Sequence, residues 1–374
     1  MERLPDALDP ADERPAVAEA LRDWLALQHA LALQPAGAIA LLRRTGHPRA
    51  ALRLSRSTAQ PPPRAIEAAV EALRRSGAVA VPFFSPLYPA RLANLADPAP
   101  LLLIRGEPRA LAGPGVAVVG SRAASAYGLA VAQRLSAELA RAGLVVISGL
   151  ARGVDAAAHR GALEAGGLTV AFQACGPDRV YPSAHRELAR RIERQGAVVT
   201  EFPPGTRPLR QYFPLRNRLI SGLARALVVV EARERSGSLI TAAHALDQGI
   251  DVLAVPGPVT APTSVGPNRL IRDGAFVALE AADVVEVIGP GAASPSQRVA
   301  RTDPHGVEAA GEAGGRILRA LLHEPATRDE LGRRLGRAPE QLALDLLELE
   351  LAGRVVEDRD GRLRVVSPQP GARA

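Results

Sequence analysis

The sequence contains no lysine, so all 46 of its Lys/Arg residues are arginine. That absence excludes a Walker-type phosphate loop and a Schiff-base enzyme, since both need the ε-amine. Every basic contact must instead come from a guanidinium, the group suited to two-pronged recognition of phosphate. Cysteine is almost missing as well. Cys175 stands alone, which rules out a disulfide framework and a cysteine-based zinc site and fits a reducing compartment. Aromatic residues make up only 3% of the chain, and cores packed from Ala, Leu and Val favour helices and parallel strands. No apolar run reaches the roughly 18 residues that a membrane span requires. The first twenty residues, MERLPDALDPADERPAVAEA, are acidic and lack the apolar centre of a signal peptide. No membrane span and a cytoplasmic location are the expectation.

What is present sets the class. A length of 374 residues predicts two or three domains, and a hydrophobic fraction of 47% excludes wholesale disorder. The net charge of +7 points to an anionic partner, with nucleic acid first and an acidic membrane surface second.

Along the chain, LRDWLALQHALALQPAGAIALLRRTGHPRAALRLS reads as short helices broken at Pro35-Ala36-Gly37 and at Gly46-His47-Pro48. After the stiff STAQPPPR segment one more helix runs to about Ser76. Between Val79 and Ile288 the pattern alternates. Apolar runs at 101–104, 116–119, 144–147, 168–172, 197–200, 226–230 and 251–255 each end in a turn signal, and helix-length segments at 126–142, 154–165, 184–195 and 238–248 separate most of them. Strands apolar on both faces and spaced by amphipathic helices predict a parallel, doubly wound α/β sheet, with ligands at the carboxyl edge of the strands. Residues 289–311, rich in Gly, Pro, Ala and Ser, read as a linker. Beyond them come helix, turn, helix, turn, helix and a hairpin with Asp360-Gly361 at its tip, in the order of a winged helix-turn-helix. Thr327 or Asp329 is the expected cap of its second helix.

Three turns concentrate the chemistry. Gly120-Ser121-Arg122 follows the run 116–119, Ser148-Gly149-Leu150-Ala151-Arg152-Gly153 follows 144–147, and Ser236-Gly237-Ser238 precedes a helix that carries Thr241. Glycine admits backbone N–H groups close to an anion, a helix N-terminus adds partial positive charge, and hydroxyls add donors. On one edge of a parallel sheet the three turns would share one crevice. A fourth segment, TRPLRQYFPLRNRLISGLARA at 206–226, holds five arginines and no acid around Tyr212 and Phe213. Its spacing fits a solvated charged face as well as a path on which guanidiniums track phosphates and rings stack on unpaired bases. Catalysis finds little support. His159, His185 and His244 are scattered, Asp155 fits a first-turn helix carboxylate, and Asp178 sits in a turn near the same edge with its role open.

These segments in this order resemble the DNA-processing protein A family (DprA, also called Smf), across nearly the whole chain. VAVVGSR, VISGLARGVDAAAH, CGPDRVYPSAH, TEFPPGTRP, FPLRNRLISGL and VVVEARERSGSLITAAH carry the resemblance. It implies an extended Rossmann-like domain over 79–288, an N-terminal SAM-like helical domain over 1–78, the linker at 289–311 and a winged-helix domain over 312–367. It also implies a non-enzymatic, cofactor-free protein that binds and protects incoming single-stranded DNA, loads the recombinase RecA during natural transformation, and forms a homodimer through the Rossmann-like domain. The family's DNA-binding pattern falls on Gly120, Ser121 and Arg122, on Phe213, Arg216, Asn217 and Arg218, and on Ser236, Gly237, Ser238 and Thr241. Gly149 and Arg152 join them from the second turn. Where many members carry Asn after the YP turn, this chain has His185, and the groove lysines of other members are absent.

Two other functions compete. A Rossmann-like nucleotide hydrolase would use a Glu where His244 stands here, so it lacks its general acid or base. A duplex regulator would read DNA through the winged helix, whose basic patch is Arg333, Arg334 and Arg337. Glu340, Asp345, Glu348 and Glu350 on the last helix would repel phosphates in a groove.

Overall fold

A computed structural model of the chain describes residues 5–31, 34–55, 61–289 and parts of 317–365. The chain divides into two compact units, residues 1–298 and 299–374.

Four helices open the first unit: α1 (Pro15–Leu31), α2 (Pro35–Thr45), α3 (Pro48–Leu54) and α4 (Pro63–Ser76). Pro35 and Pro48, read from sequence as breaks, sit at the first helical position of α2 and α3. A proline is favoured there because its missing N–H has no intrahelical partner to lose. Gly46 and Gly77, at φ 68° and 66°, close α2 and α4 in the left-handed conformation. The buried stripe of Leu21, Leu25, Ile39, Leu42 and Leu73 packs on Leu101 and Leu103 of the sheet, so the helices cover one sheet edge.

The sheet has nine strands: β1 (Val79–Pro82), β2 (Leu101–Gly106), β3 (Gly115–Val119), β4 (Val145–Ser148), β5 (Thr169–Phe172), β6 (Gly196–Thr200), β7 (Ala226–Val229), β8 (Asp251–Ala254) and β9 (Phe276–Val277). Their spatial order is β1-β2-β6-β5-β4-β3-β7-β8-β9. From β6 to β9 every pairing is parallel. The run at 101–104 departs from the parallel pattern of the rest, because β2 pairs antiparallel with both β1 and β6. An apolar run buried on both faces carries no mark of its direction, so composition alone could not separate the two cases.

The remaining helices of this unit are α5 (Ala90–Ala93), α6 (Ala126–Arg141), α7 (Val154–Glu164), α8 (Arg186–Gln195), α9 (Tyr212–Leu223), α10 (Gly237–Asp247), α11 (Val265–Arg272) and α12 (Ala281–Ile288). Side chains alternate across β3. Val116 and Val118 pack with Leu135 and Leu139 of α6 and Ala158 of α7, whereas Ala117 and Val119 pack with Leu219 and Leu223 of α9 and Ala242 of α10. Helices therefore cover both faces, as a doubly wound sheet requires. Strand order reverses at β3: β4, β5 and β6 lie to one side, and β7, β8 and β9 to the other. The crevice beyond the carboxyl ends of β3 and β7 is where such a fold leaves room for a ligand.

In the second unit α13 (Arg328–Leu335) starts at Thr327. The Thr327 hydroxyl accepts the Glu330 N–H at 3.3 Å while the Glu330 carboxylate accepts the Thr327 N–H at 3.0 Å. Strands β10 (Val355–Glu357) and β11 (Leu363–Val365) form the antiparallel wing, with Gly361 at φ 73° in its turn. Ile317, Leu331, Leu346 and Leu363 fill its core. Most of the expected linker, together with Arg337, Glu340, Glu348 and Glu350, lies outside the described residues.

Candidate functional site

The turn after β3 is fixed by backbone and by one buried acid. Ser121 N–H donates to the Glu231 carbonyl at 2.7 Å. A Cβ on Gly120 would stand 2.6 Å from the Val154 side chain and 2.9 Å from that same carbonyl, so only glycine fits. The Glu231 carboxylate accepts the Ser125 N–H at 2.8 Å, the Ser125 hydroxyl at 2.6 Å and the Thr263 hydroxyl at 3.0 Å. Ser125 in turn caps α6 by accepting the Gly128 N–H. Glu231 thus ties the start of α6 to the end of β7. Sequence reasoning missed it, although an acid closing the apolar run VVVE was the available signal.

The turn after β4 leans on the first. Gly153 adopts φ +74°, and a Cβ there would stand 2.1 Å from the Ser121 carbonyl oxygen. Val154 N–H donates to that oxygen at 3.2 Å. Leu150 is left-handed at φ +57°, and its carbonyl accepts from His185 Nδ1 at 2.9 Å. His185 therefore holds the β4 turn from the loop after β5. Asp155 is buried and accepts the Ala151 N–H at 3.3 Å. Burial pushes its carboxyl above the usual range against the pull of Arg216.

Helix α9 brings the third set. The Arg122 guanidinium lies over the Phe213 ring, 4.9 Å from its centroid, and the exposed Tyr181 ring meets Phe213 edge-on at 5.8 Å. Arg216 is 4% exposed, and its Nη1 donates to the carbonyls of Gly149 and Phe172. Burial lowers its pKa to about 10, opposed by Asp155, and its Nε has no hydrogen-bond partner. Asn217 Nδ2 reaches the Gly237 carbonyl at 3.4 Å. At the start of α10 the Ser236 hydroxyl accepts the Ser238 N–H and lies 2.7 Å from the Ser238 hydroxyl.

The structure brings most of the expected residues together. Gly120, Ser121, Arg122, Phe213, Arg216 and Asn217 line one crevice of about 380 Å³ at the switch point. Ser236, Gly237, Ser238 and Thr241 face them across it, and Arg233, which sequence reasoning passed over, joins the rim. Gly149 and Arg152 line an adjoining cavity of about 960 Å³ that shares Arg122 and Phe213 with the crevice.

Arg218 is the exception. It points to the opposite side of α9, where Nη1 and Nη2 donate to the two Glu201 oxygens at 2.8 and 2.7 Å and Nε donates to Asp97 at 2.7 Å. Its expected place on the path is corrected: a guanidinium 2% exposed and engaged by two carboxylates closes the fold instead. His244 lines a cavity on that opposite side, together with Asp97 and Arg218. Asp178 accepts the Gly205 N–H at 2.8 Å and pairs with Arg179 at 3.4 Å, so it anchors the 201–206 loop. The crevice presents amides, hydroxyls and guanidiniums, with its one carboxylate, Asp155, turned to buried partners. Such a surface accepts an anion and offers an aromatic face beside it.

Comparison with known proteins places this geometry. Residues 80–289 match the family described as DNA recombination-mediator protein A, and residues 300–361 match the DprA winged helix domain. The putative DNA processing protein DprA of Mycobacterium tuberculosis is 44% identical over 262 residues, which span 69% of this chain and 66% of that protein. Protein Smf of Escherichia coli is 35% identical over 356 residues, covering 92% of this chain and 91% of its own length. Among solved structures, DNA processing protein A from Streptococcus pneumoniae superposes with a TM-score of 0.59 at 33% identity, over 72% of this chain and 95% of that one. The protein of that name from Helicobacter pylori, solved for its single-stranded DNA binding mode, gives 0.50 at 28% identity over 54% of this chain and 92% of that one. The two matches fall in order along the sequence, and one relative aligns over nearly its full length: the chain belongs to the DNA recombination-mediator protein A family.

Proposed function

We propose that the switch-point crevice binds single-stranded DNA with little regard to base sequence, and that the chain protects incoming strands and loads RecA on them during natural transformation. The observation that carries this is the meeting of three glycine turns around Arg122, whose guanidinium stacks on Phe213 and has no acidic partner among the described residues. Phosphates and ring faces carry almost no base information, so contacts of this kind are sequence-tolerant. The similarity to the Helicobacter pylori protein, itself a binder of single-stranded DNA, supports the same ligand. The role is one of binding, without catalysis or cofactor, carried by the Rossmann-like part at 79–288 and flanked by the helical part at 1–78 and the winged helix at 312–367. No described helix is long and apolar enough to cross a membrane, and the proposed site of action is the cytoplasm. For the homodimer, support comes from the sheet edge: among the described residues β9 has no partner on its outer side, and Phe276, Val277 and Leu279 are 51%, 41% and 62% exposed.

Arg122→Ala tests the assignment. Gel shifts over a salt series should show affinity for a single strand falling about tenfold and the salt slope shrinking by about 0.7, one phosphate contact. Unchanged affinity and slope in a folded variant would reject it. RecA assembly on strands coated by a single-strand-binding protein, followed with and without the chain, tests the loading step. Phe276→Glu should convert a dimer to a monomer in sedimentation; a dimer that persists points to another face.

A further inference from the structure

The cavity beside α8 holds more positive charge than the crevice it adjoins. One flank of α8 supplies Arg186, Arg190 and Glu193 at spacings of four and three residues, which align on a helix surface. Arg152 and Arg179 enter from the turns after β4 and β5, and Arg105 from β2. With Arg122, six guanidiniums face only two carboxylates, Asp178 and Glu193. Among the described residues neither Arg152 nor Arg186 has an acidic partner. Arg105 meets Glu193 through Nη1 at 3.1 Å, while its Nε and Nη2, the two N–H groups along one edge of the guanidinium, are buried without a partner. Helix α8 begins at the cavity with no side-chain cap, since His185 is turned to the Leu150 carbonyl, and Ser183 and Arg186 line the wall at that point.

A diester carries one negative charge, whereas a phosphate monoester carries nearly two above its second pKa of about 6. Guanidiniums gathered on one cavity at a helix N-terminus suit the more highly charged group. A volume of about 960 Å³ has room for a whole nucleotide. Val180, Tyr181 and Pro182 supply an apolar wall for a nucleoside. We propose that this cavity receives a nucleotide bearing a phosphate monoester, either the phosphorylated end of the bound strand or a free nucleotide. The strand-end case rests on the crevice being the strand's path; the free-nucleotide case does not.

The test compares one oligonucleotide in three forms, 5′-phosphorylated, 3′-phosphorylated and hydroxyl at both ends, by fluorescence anisotropy, and titrates a nucleoside 5′-monophosphate alone by calorimetry. For a strand end, one phosphorylated form should bind about tenfold more tightly than the hydroxyl form, as expected for added charge-assisted hydrogen bonds. That advantage should shrink between pH 7.5 and 5.5 as the monoester takes up a proton. Arg186→Ala/Arg190→Ala should remove the advantage while leaving hydroxyl-ended binding within about threefold. For a free nucleotide, the monophosphate alone should bind and the same double variant should abolish its heat. Equal binding of all three oligonucleotides together with no heat from the monophosphate would overturn the proposal. If hydroxyl-ended strands fail to bind at all, the crevice assignment fails instead, and the calorimetric arm still decides this one.

Discussion

Arg216 and Arg218 stand two residues apart on α9 and do opposite things. Arg216 faces the crevice, held by two carbonyls with its Nε unpartnered, whereas Arg218 turns to the far side and is engaged by Glu201 and Asp97. An arginine's role depends less on its local motif than on where the acids lie. For Arg218 they arrive from 121 and 17 residues away, at separations that no inspection of FPLRNR could reveal. One face of α9 thereby lines the crevice, and the other closes the fold.

Arg218→Met should separate the two faces most sharply. It leaves Glu201, 5% exposed, without its cation, and removing one partner of a buried pair typically costs about 3–5 kcal/mol. Urea unfolding should show that loss near neutral pH. The stranded carboxyl then titrates with a raised folded pKa, so its neutral form is tolerated below the unfolded value of about 4.3 and the deficit grows as pH rises through the folded pKa. A deficit independent of pH would mean that solvent satisfies Glu201. Arg122→Ala should do the reverse, with strand affinity falling as stated above and stability changing by less than about 0.5 kcal/mol, as for an exposed side chain.

A smaller effect comes from His159, buried between α7 and β5 with Nδ1 2.7 Å from the Thr169 hydroxyl. Burial, with His185 and Arg216 nearby, lowers its pKa to about 3. A base held neutral contributes stability that is complete above its unfolded pKa of about 6.5 and is lost as pH falls from there toward 3. Unfolding free energies between pH 7 and 4.5 should therefore fall more steeply for the wild type than for His159→Gln; equal slopes would mean that the imidazole is not the group responsible. The smallest effect is expected from removing the residues after 311. Single-strand affinity should stay within about twofold if the crevice carries the binding, and a large loss would move the interface to the winged helix.

Much of this layout was legible in the sequence. All seven apolar runs became strands to within two residues, because buried strands of a wound sheet must be apolar throughout and must end in turns. The three glycine turns were legible for the same reason, since GSR, SGLARG and SGS each stand past a run. Pairing direction was hidden, as β2 shows, and so were partners distant in sequence. Glu231 looked like an ordinary charged residue until three donors were seen to converge on it. Arg105 stood near the end of LLLIRGE with nothing to mark its role, yet it lines the cavity of about 960 Å³.

The contact of Gly153 and Val154 with the Ser121 carbonyl makes the first two turns a single mechanical clasp, backbone against backbone. Neither loop can be redesigned alone, because any side chain at 153 strikes the other. The Val154 amide also becomes a built-in sensor: its hydrogen exchange reports how firmly the clasp is shut, without a label.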